Sequence, residues 1–427
     1  MKRPEDYIHA LGRFSGAPGL HRIRALLAAL GDPQRALRFV HLAGTNGKGS
    51  TAAMTAEIVL RAGYRVGLFT SPYLVAFEER IRVNGEMIGQ DDLARLTDRV
   101  RAAVSMLSLP EGEHIGEFEF VTAVGMLYFV ERACDLVVLE TGLGGEFDAT
   151  NAIDPPLVAA ITSISLDHTA VLGDTVEQIA RTKAGIIKQG STVVCAYGQP
   201  DGARREIENA CKRVGAPLTI PTPATEVECG LDGSHFCAAG HTYRLSLIGR
   251  HQVDNALTVL AIVGALRDRG FFLPEDVVRD GLAGTRFAGR LERVSTAPLT
   301  LLDGAHNPGG VAALTDTLDT LIGKRRLLLV MGMVRDKAVE SCVAALATRA
   351  TAFFACAPNN ERALPADALA ALAARDCTEV HVCESVADAY AAARRNATES
   401  DCILICGSLY LVGEAEKIFT TRQNMAQ

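Results

Sequence analysis

Short, almost wholly apolar runs of strand length recur along this chain, and each leads into a stretch of helical composition. Residues 135–140 (DLVVLE) are the clearest case, and residues 157–163 (LVAAITS) repeat the type. A run without polar alternation has no solvated face, so the strand it forms is buried on both sides, as in a parallel sheet covered by helices. Residues 37–42 (LRFVHL), 65–70 (RVGLFT) and 192–196 (TVVCA) add further strands, and helices are expected over 51–60, 118–132 and 175–184. Strand alternating with helix is the signature of a doubly wound, mostly parallel sheet. Residues 217–248 lose this rhythm and read as short strands and turns at an antiparallel edge, before a long helix over 252–269. From residue 299 the alternation restarts with LTLLD, RLLLVMGM, TAFFACA, VHVCES and DCILICG, separated by helices over 309–321, up to about 347, 366–374 and 385–395. The expectation is an N-terminal α/β domain over 1–289 and a smaller, Rossmann-like α/β domain over 290–427, parted near Gly289, where glycines and charges interrupt the pattern.

The first strand runs into VHLAGTNGKGST, residues 40–51. A P-loop reads G-x-x-x-x-G-K-[ST]; here the first Gly falls two residues late, and Gly49 intervenes between Lys48 and the hydroxyls of Ser50 and Thr51. The physics asks for less than the pattern. A glycine-rich loop joining strand to helix places unpaired N–H groups and the positive end of the helix dipole where phosphate oxygens can sit. Three glycines, Thr45, Asn46 and Lys48 within so short a turn therefore predict a phosphate site.

Composition narrows the remaining choices. Among 427 residues, 48% are hydrophobic and 22% charged, which describes a globular chain with ample core and room for two domains. The net charge of −7, with no Lys/Arg run, argues against nucleic acid as partner. Eleven scattered cysteines without C-x-x-C spacing suit a reduced, cytoplasmic chain, and neither a leader nor a run of membrane-spanning length is expected.

Ligands of open parallel sheets bind beyond the carboxyl ends of the strands. Ser71 follows the second strand, Glu140 ends DLVVLE, and Asp167 and His168 follow LVAAITS. A hydroxyl, a carboxylate and an imidazole beside a phosphate loop suit Mg²⁺, or Mn²⁺ given the imidazole. Singly, each has a plainer reading: a turn serine before Pro72, a paired carboxylate, a capping histidine. In the second domain LLDGAHNPGG sets Asp303, His306 and Asn307 at the end of a strand, where they serve a ligand or cap the helix that follows.

Taken in order, AGTNGKGST, SPYL, FEF, LETGLGGEFDATN, SLDHT, TKAGIIK, GRHQVDNA, GRLE, LDGAHNPGG, MGMVRDK and CGSLYLVGE resemble the Mur ligase superfamily, and within it the dihydrofolate synthase/folylpolyglutamate synthase branch. The resemblance runs from about residue 15 to residue 413. It implies an ATP-dependent ligase that phosphorylates a carboxylate and lets the amine of L-glutamate displace the phosphate, with dihydropteroate and reduced folates as small-molecule substrates and the chain acting as a monomer. It implies that Thr45, Asn46, Gly47, Lys48, Gly49 and Ser50 cradle ATP phosphates, that Asn255 meets the adenine, and that Arg290, Asp303 and His306 reach the nucleotide. Magnesium would be held by Ser71, Glu140, His168 and a carbamylated Lys183, with a monovalent cation as a further candidate. Catalysis would fall to Lys48, Lys183, His168 and Arg290. A pterin site would be formed by Ser15, Gly16, Ala17 and Pro18, by Gly116, Glu117, Phe118 and Glu119, and by Phe147, Asp148 and Ala149, with Phe118 stacking and Asp148 accepting. Two departures stand out: Glu146 replaces a common Arg, and GEFEF lacks the Thr-Tyr expected before the first Phe.

Other readings fare less well. A GTPase needs [NT]-K-x-D, and the nearest candidate, Thr182-Lys183-Ala184-Gly185, has no Asp. A cell-wall Mur ligase would carry an N-terminal UDP-binding domain, for which the residues ahead of Gly44 are too few. A folylpolyglutamate synthase without dihydropteroate activity remains the alternative.

Overall fold

The computed structural model describes residues 3–12 and 16–425, with the side chains of 421–425 left aside. Eight strands form the first sheet: β1 (Phe39–Ala43), β2 (Val66–Phe69), β3 (Ile81–Val83), β4 (Glu86–Met87), β5 (Leu136–Glu140), β6 (Val158–Ile161), β7 (Thr192–Cys195) and β8 (Leu218–Thr219). Their order is β4-β3-β2-β5-β1-β6-β7-β8. Pairing is parallel from β2 through β8, and only β3 and β4 pair antiparallel. Every residue of β1, β5 and β6 is buried, as their unbroken apolar runs require. Because these strands are parallel, Ala43, Glu140, Ile161 and Phe69 all end on one edge of the sheet.

The helix Glu117–Glu131 covers one face, buried on nearly all sides from Glu119 to Phe129. Its Phe120 and Phe129 join Phe69, Val137 and Leu139 in one core cluster. Each such phenylalanine, removed from water, contributes roughly 1.5–3 kcal/mol.

Residues 217–248 depart from expectation. Leu218–Thr219 pairs parallel to β7, and the remainder builds a separate antiparallel sheet from β9 (Thr225–Gly230), β10 (Gly233–Ala238) and β11 (His241–Leu245), not an edge of the large one. The third sheet comprises β12 (Arg290–Thr296), β13 (Leu299–Asp303), β14 (Leu327–Met331), β15 (Ala352–Ala355), β16 (Val380–Val382) and β17 (Cys402–Cys406), in the order β12-β13-β17-β14-β15-β16. All its pairings are parallel save β12 with β13. The helices Pro308–Leu321, Val339–Ala347, Ala366–Ala373 and Val386–Asn396 follow the expected segments within a residue or two.

The chain divides into two compact units: residues 1–164, 174–223 and 254–284 form the first, and residues 165–173, 224–253 and 285–427 the second. The last crossover, at Thr285, lies close to the boundary expected at 289–290; the two earlier excursions into the second unit have no counterpart in that single cut.

Candidate active site

In the first unit, the loop after β1 is built as its glycines suggest. Gly44 stands at φ 158, and a β-carbon there would run into the Thr162 hydroxyl beyond β6. Gly47 is left-handed at φ 85 and serves as N-cap of the helix Lys48–Arg61. The Thr45 and Asn46 amides donate to the Ser163 carbonyl at 2.8 and 3.2 Å, which fixes the loop to β6. The N–H groups of the first helical turn, where Lys48, Gly49 and Ser50 sit, have no intrahelical acceptor. Lys48 Nζ folds back to donate to the carbonyls of Gly44 (3.1 Å) and Thr45 (3.4 Å) and lies 4.0 Å from Glu140. Asn255 packs on this loop: a β-carbon on Gly47 would collide with its side-chain oxygen.

Glu140 closes the neighbouring strand β5, in register with Leu42 of β1. Its Oε2 accepts from the Ser71 amide at 3.1 Å, which ties the backbone after β2 to the end of β5. Lys183 is buried in the same unit and donates to the Gly44 carbonyl at 2.7 Å. Ser71, Glu140, Lys48 and Lys183 are thus gathered around the phosphate loop. His168 belongs to the second unit. Among the described residues, no group of three His, Cys, Asp or Glu side chains gathers as a metal site.

Residues 142–151 lie against the segment that carries Lys183. The Glu146 amide donates to Thr182 O at 2.9 Å, Asn151 Nδ2 donates to Glu146 O and Gly185 O at 3.0 and 3.1 Å, and Gly145 and Gly185 allow the two backbones to touch. The Glu146 side chain is exposed, as is Phe147, while Asp148 and Ala149 are buried. Asp148 organises the loop: its carboxylate accepts from Leu143 N (2.8 Å), Thr150 N (3.1 Å) and the Thr150 hydroxyl (2.5 Å). Burial pushes its carboxyl above the ordinary range, against the opposing pull of these donors. Phe118 is half-buried, edge-on to Phe69 with ring centroids 5.9 Å apart, and its ring lies over Gly142.

Ser15 lies outside the described residues, whereas Gly16, Ala17 and Pro18 are exposed. Their tie to the segment Gly116, Glu117, Phe118 and Glu119 is a residue that sequence reasoning passed over. Arg22 is buried, donates to Ala17 O at 2.9 Å, and pairs with Glu119 at 3.1 Å and Glu113 at 3.4 Å. Glu119 in turn caps its own helix through the Gly116 amide at 2.9 Å. Glu117 is held by Arg80 at 3.0 Å.

In the second unit, Asp303 ends β13 opposite Arg290. It accepts from Leu291 N and Ala305 N, both at 2.8 Å, and burial raises its pKa. The Arg290 guanidinium lies over Phe287, 5.6 Å from the ring centroid, and beside Gly304. His306 Nδ1 donates to Gly304 O at 2.7 Å; burial, reinforced by Lys337, lowers its pKa to about 4, so the ring is neutral near pH 7. Asn307 caps the helix Pro308–Leu321 through Gly310 N and donates its other end to Asp167 at 2.9 Å. Lys337 Nζ binds Asp167 at 2.6 Å and reaches His168 Nε2 at 3.3 Å. Burial would raise the Asp167 pKa, but Lys337 and His168 outweigh it and hold the carboxyl well below its usual range. Lys337 went unassigned at the sequence level although it stands in MGMVRDK; Asp167 was placed beside a cation site and proves to be the partner of Lys337 and Asn307.

Two family profiles match the chain: Mur ligase middle domain over residues 42–263, and Mur ligase, glutamate ligase domain over residues 289–409. The chain belongs to the Mur ligase family. Among characterised Mur ligase relatives, the dihydrofolate synthase/folylpolyglutamate synthase of Bacillus subtilis is 36% identical over 96% of this chain and 97% of its own. The Escherichia coli protein of the same description is 33% identical over 95% and 92%. Escherichia coli FolC in complex with DHPP and ADP superposes with a TM-score of 0.87 at 30% identity, covering 99% of both chains. Mycobacterium tuberculosis folylpolyglutamate synthase complexed with ADP gives 0.90 at 32% identity, covering 97% of both. Like those Mur ligases, this chain is an ATP-dependent ligase of α/β architecture. Among the described residues, no helix is long and apolar enough to cross a membrane.

Proposed function

We propose that this chain joins L-glutamate to dihydropteroate, giving dihydrofolate, and to reduced folates, lengthening a polyglutamate tail. The observation that carries the reading is the shortened phosphate loop, with Lys48 held over it and the first helical turn lacking intrahelical acceptors, in a chain that aligns over more than nine-tenths of its length with relatives named for both activities. ATP binding is assigned to residues 1–289 and glutamate to residues 290–427, in a monomer of the cytoplasm.

The acceptor carboxylate attacks the γ-phosphorus of ATP, ADP leaves, and an acyl phosphate forms. The glutamate amine then attacks the acyl carbon, inorganic phosphate departs, and the amine loses its proton. Such chemistry rests on positioning and charge neutralisation rather than on a protein nucleophile. Lys48 and the N–H groups of Gly47, Lys48, Gly49 and Ser50 neutralise and orient the phosphates, with Thr45 and Asn46 shaping the loop. Asn255, which packs on Gly47, takes the adenine. Arg290 and His306 are assigned to the nucleotide by the family resemblance, and Asp303 holds the turn on which they stand.

The oxygen donors fit a magnesium ion: Ser71 and Glu140 are joined at the strand edge, and Lys183, once carbamylated, would add a second carboxylate beside the same loop. His168 is assigned to the ion by the family resemblance alone, and an imidazole also admits Mn²⁺. Bound there, the ion would supply charge neutralisation to the phosphates. Gly16, Ala17 and Pro18, the segment from Gly116 to Glu119, and Phe147, Asp148 and Ala149 form the pterin site, with Phe118 as its flat apolar wall.

The test is mass spectrometry of products after incubation with ATP, Mg²⁺ and L-glutamate, with dihydropteroate in one tube and tetrahydrofolate in another. Glutamyl products are expected in both. Product from tetrahydrofolate alone would restrict the enzyme to polyglutamylation, a reading that the exposed Glu146 and the relative named only folylpolyglutamate synthase in Lacticaseibacillus casei keep in view. Product in neither would overturn the assignment.

A further inference from the structure

The middle of β1 holds a residue that the proposed chemistry does not use. His41 is fully buried among apolar strand residues, and burial, with Lys188 nearby, lowers its pKa to about 3. The ring is therefore neutral and carries one N–H. Its Nε2 lies 2.9 Å from the Thr150 hydroxyl, while Nδ1 is buried without a hydrogen-bond partner. The Thr150 hydroxyl gives its own hydrogen to Asp148 Oδ1 at 2.5 Å, since the carboxylate has none to offer in return. What remains on Thr150 is a lone pair, so His41 Nε2–H is the donor, and the unpartnered Nδ1 is the unprotonated nitrogen. The three groups form a directed chain from His41 through Thr150 to Asp148.

From these contacts we infer that His41 and Thr150 are positioning residues that fix the Asp148 carboxylate and the loop 142–151 to the strand that leads into the phosphate loop. The inference rests on the pterin-site reading of that loop. Donations from Leu143 N, Thr150 N and the Thr150 hydroxyl, with the Gly142 backbone beside them, wind the loop around Asp148, and the Thr150 hydroxyl continues into the sheet. His41 and Thr150 stand 109 residues apart, so the relay is a long-range side-chain tie between β1 and the loop that follows Glu140. A carboxylate held at one oxygen by a relayed hydroxyl has a defined orientation, and Phe147 and Ala149 take their places from it. A strand as buried as β1 gains nothing from an imidazole by packing alone, because a buried polar ring with one unsatisfied nitrogen is costly.

Thr150→Val removes the hydroxyl at nearly constant shape, Thr150→Ser restores it, and His41→Gln retains a donor near the position of Nε2. In Thr150→Val, KM for dihydropteroate should rise about tenfold, the scale of one lost buried hydrogen bond, while KM for ATP stays within about twofold. Thr150→Ser should recover most of the loss, and adding His41→Gln to Thr150→Val should change little, because both act through one chain. Hydrogen exchange reads the relay without any substrate: the Leu143 and Thr150 amides should be protected in the wild type and in Thr150→Ser, and exchange faster in Thr150→Val. Equal rises in both KM values, or failure of Thr150→Ser to recover, would overturn the positioning role, as would unchanged exchange in Thr150→Val. If the wild type makes no product from dihydropteroate, the pterin-site reading fails, and the exchange result still decides the relay.

Discussion

Gly47→Ala offers a sharp test of how the phosphate loop is held. The substitution carries two separable costs. Gly47 is left-handed at φ 85, a conformation that costs an L-residue about 1–2 kcal/mol. In addition, the new β-carbon would overlap the Asn255 side-chain oxygen, and displacing that side chain from its rotamer adds about 1 kcal/mol. In an Asn255→Ala background only the first cost remains. The double-mutant cycle should therefore show a coupling of about 1 kcal/mol, with Gly47→Ala costing about 2–3 kcal/mol in the wild type and about 1–2 kcal/mol beside Asn255→Ala. Urea unfolding of the four proteins without nucleotide measures the stabilities. Steady-state kinetics on the same set should place the Gly47→Ala defect in KM for ATP. Additivity within about 0.3 kcal/mol would show that Asn255 does not pack on Gly47. No cost in either background would refute the left-handed conformation itself.

Other outcomes follow from the same geometry. Lys48→Ala should abolish ligation while leaving the far-ultraviolet circular dichroism and the unfolding midpoint nearly unchanged; near-normal turnover would remove Lys48 from the phosphate site. Asp148→Ala should raise KM for dihydropteroate far more than KM for ATP, and equal losses in both would dissociate the loop from the pterin. Stability should fall as pH drops below about 6.5, because His41 and His306 protonate readily only when unfolded: their folded pKa values of about 3 and about 4 lie below the ordinary value, so the unfolded state takes up the protons first. Between pH 6.5 and 5 His41→Gln should flatten this slope by roughly 1 kcal/mol per pH unit on average, and an unaltered slope in urea titrations would show His41 to be accessible. Chelation with EDTA should stop product formation, and Mg²⁺ or Mn²⁺ should restore it; full activity in EDTA would dismiss the Ser71–Glu140 site.

The parts legible in the sequence are those governed by local rules. An apolar β-branched run such as LVVLE specifies a doubly covered strand whatever its neighbours, and a glycine-rich turn ahead of a helix specifies an anion site. The helices of the second α/β sheet accordingly fall within a residue or two of their expected places and its parallel strands lie inside the expected runs, whereas β12, the antiparallel edge, has no counterpart among those runs. The segment 217–248 was harder, because alternation and turns mark antiparallel pairing without saying which sheet receives the strands. Only the long-range register shows that β9 to β11 pair among themselves.

The residues that escaped are those whose meaning is a distant partner. Arg22 carries no signal of its own in the sequence until Glu119, 97 residues on, is seen to neutralise it in a buried position. Asp167 reads only as the neighbour of His168, a residue expected at the cation, until Lys337, 170 residues away, is seen to take one of its oxygens. His41 is different, because half of its story is local. An imidazole inside the run FVHLA can be buried there only if it is neutral and hydrogen-bonded, so the strand itself announces that a partner exists. Which partner is a matter of topology: β1 pairs with β5 on one side, and the loop leaving β5 returns Thr150 to the sheet. A polar residue in a strand otherwise closed to water is therefore a pointer to the loop that crosses it, and here that loop is the one expected to hold the pterin.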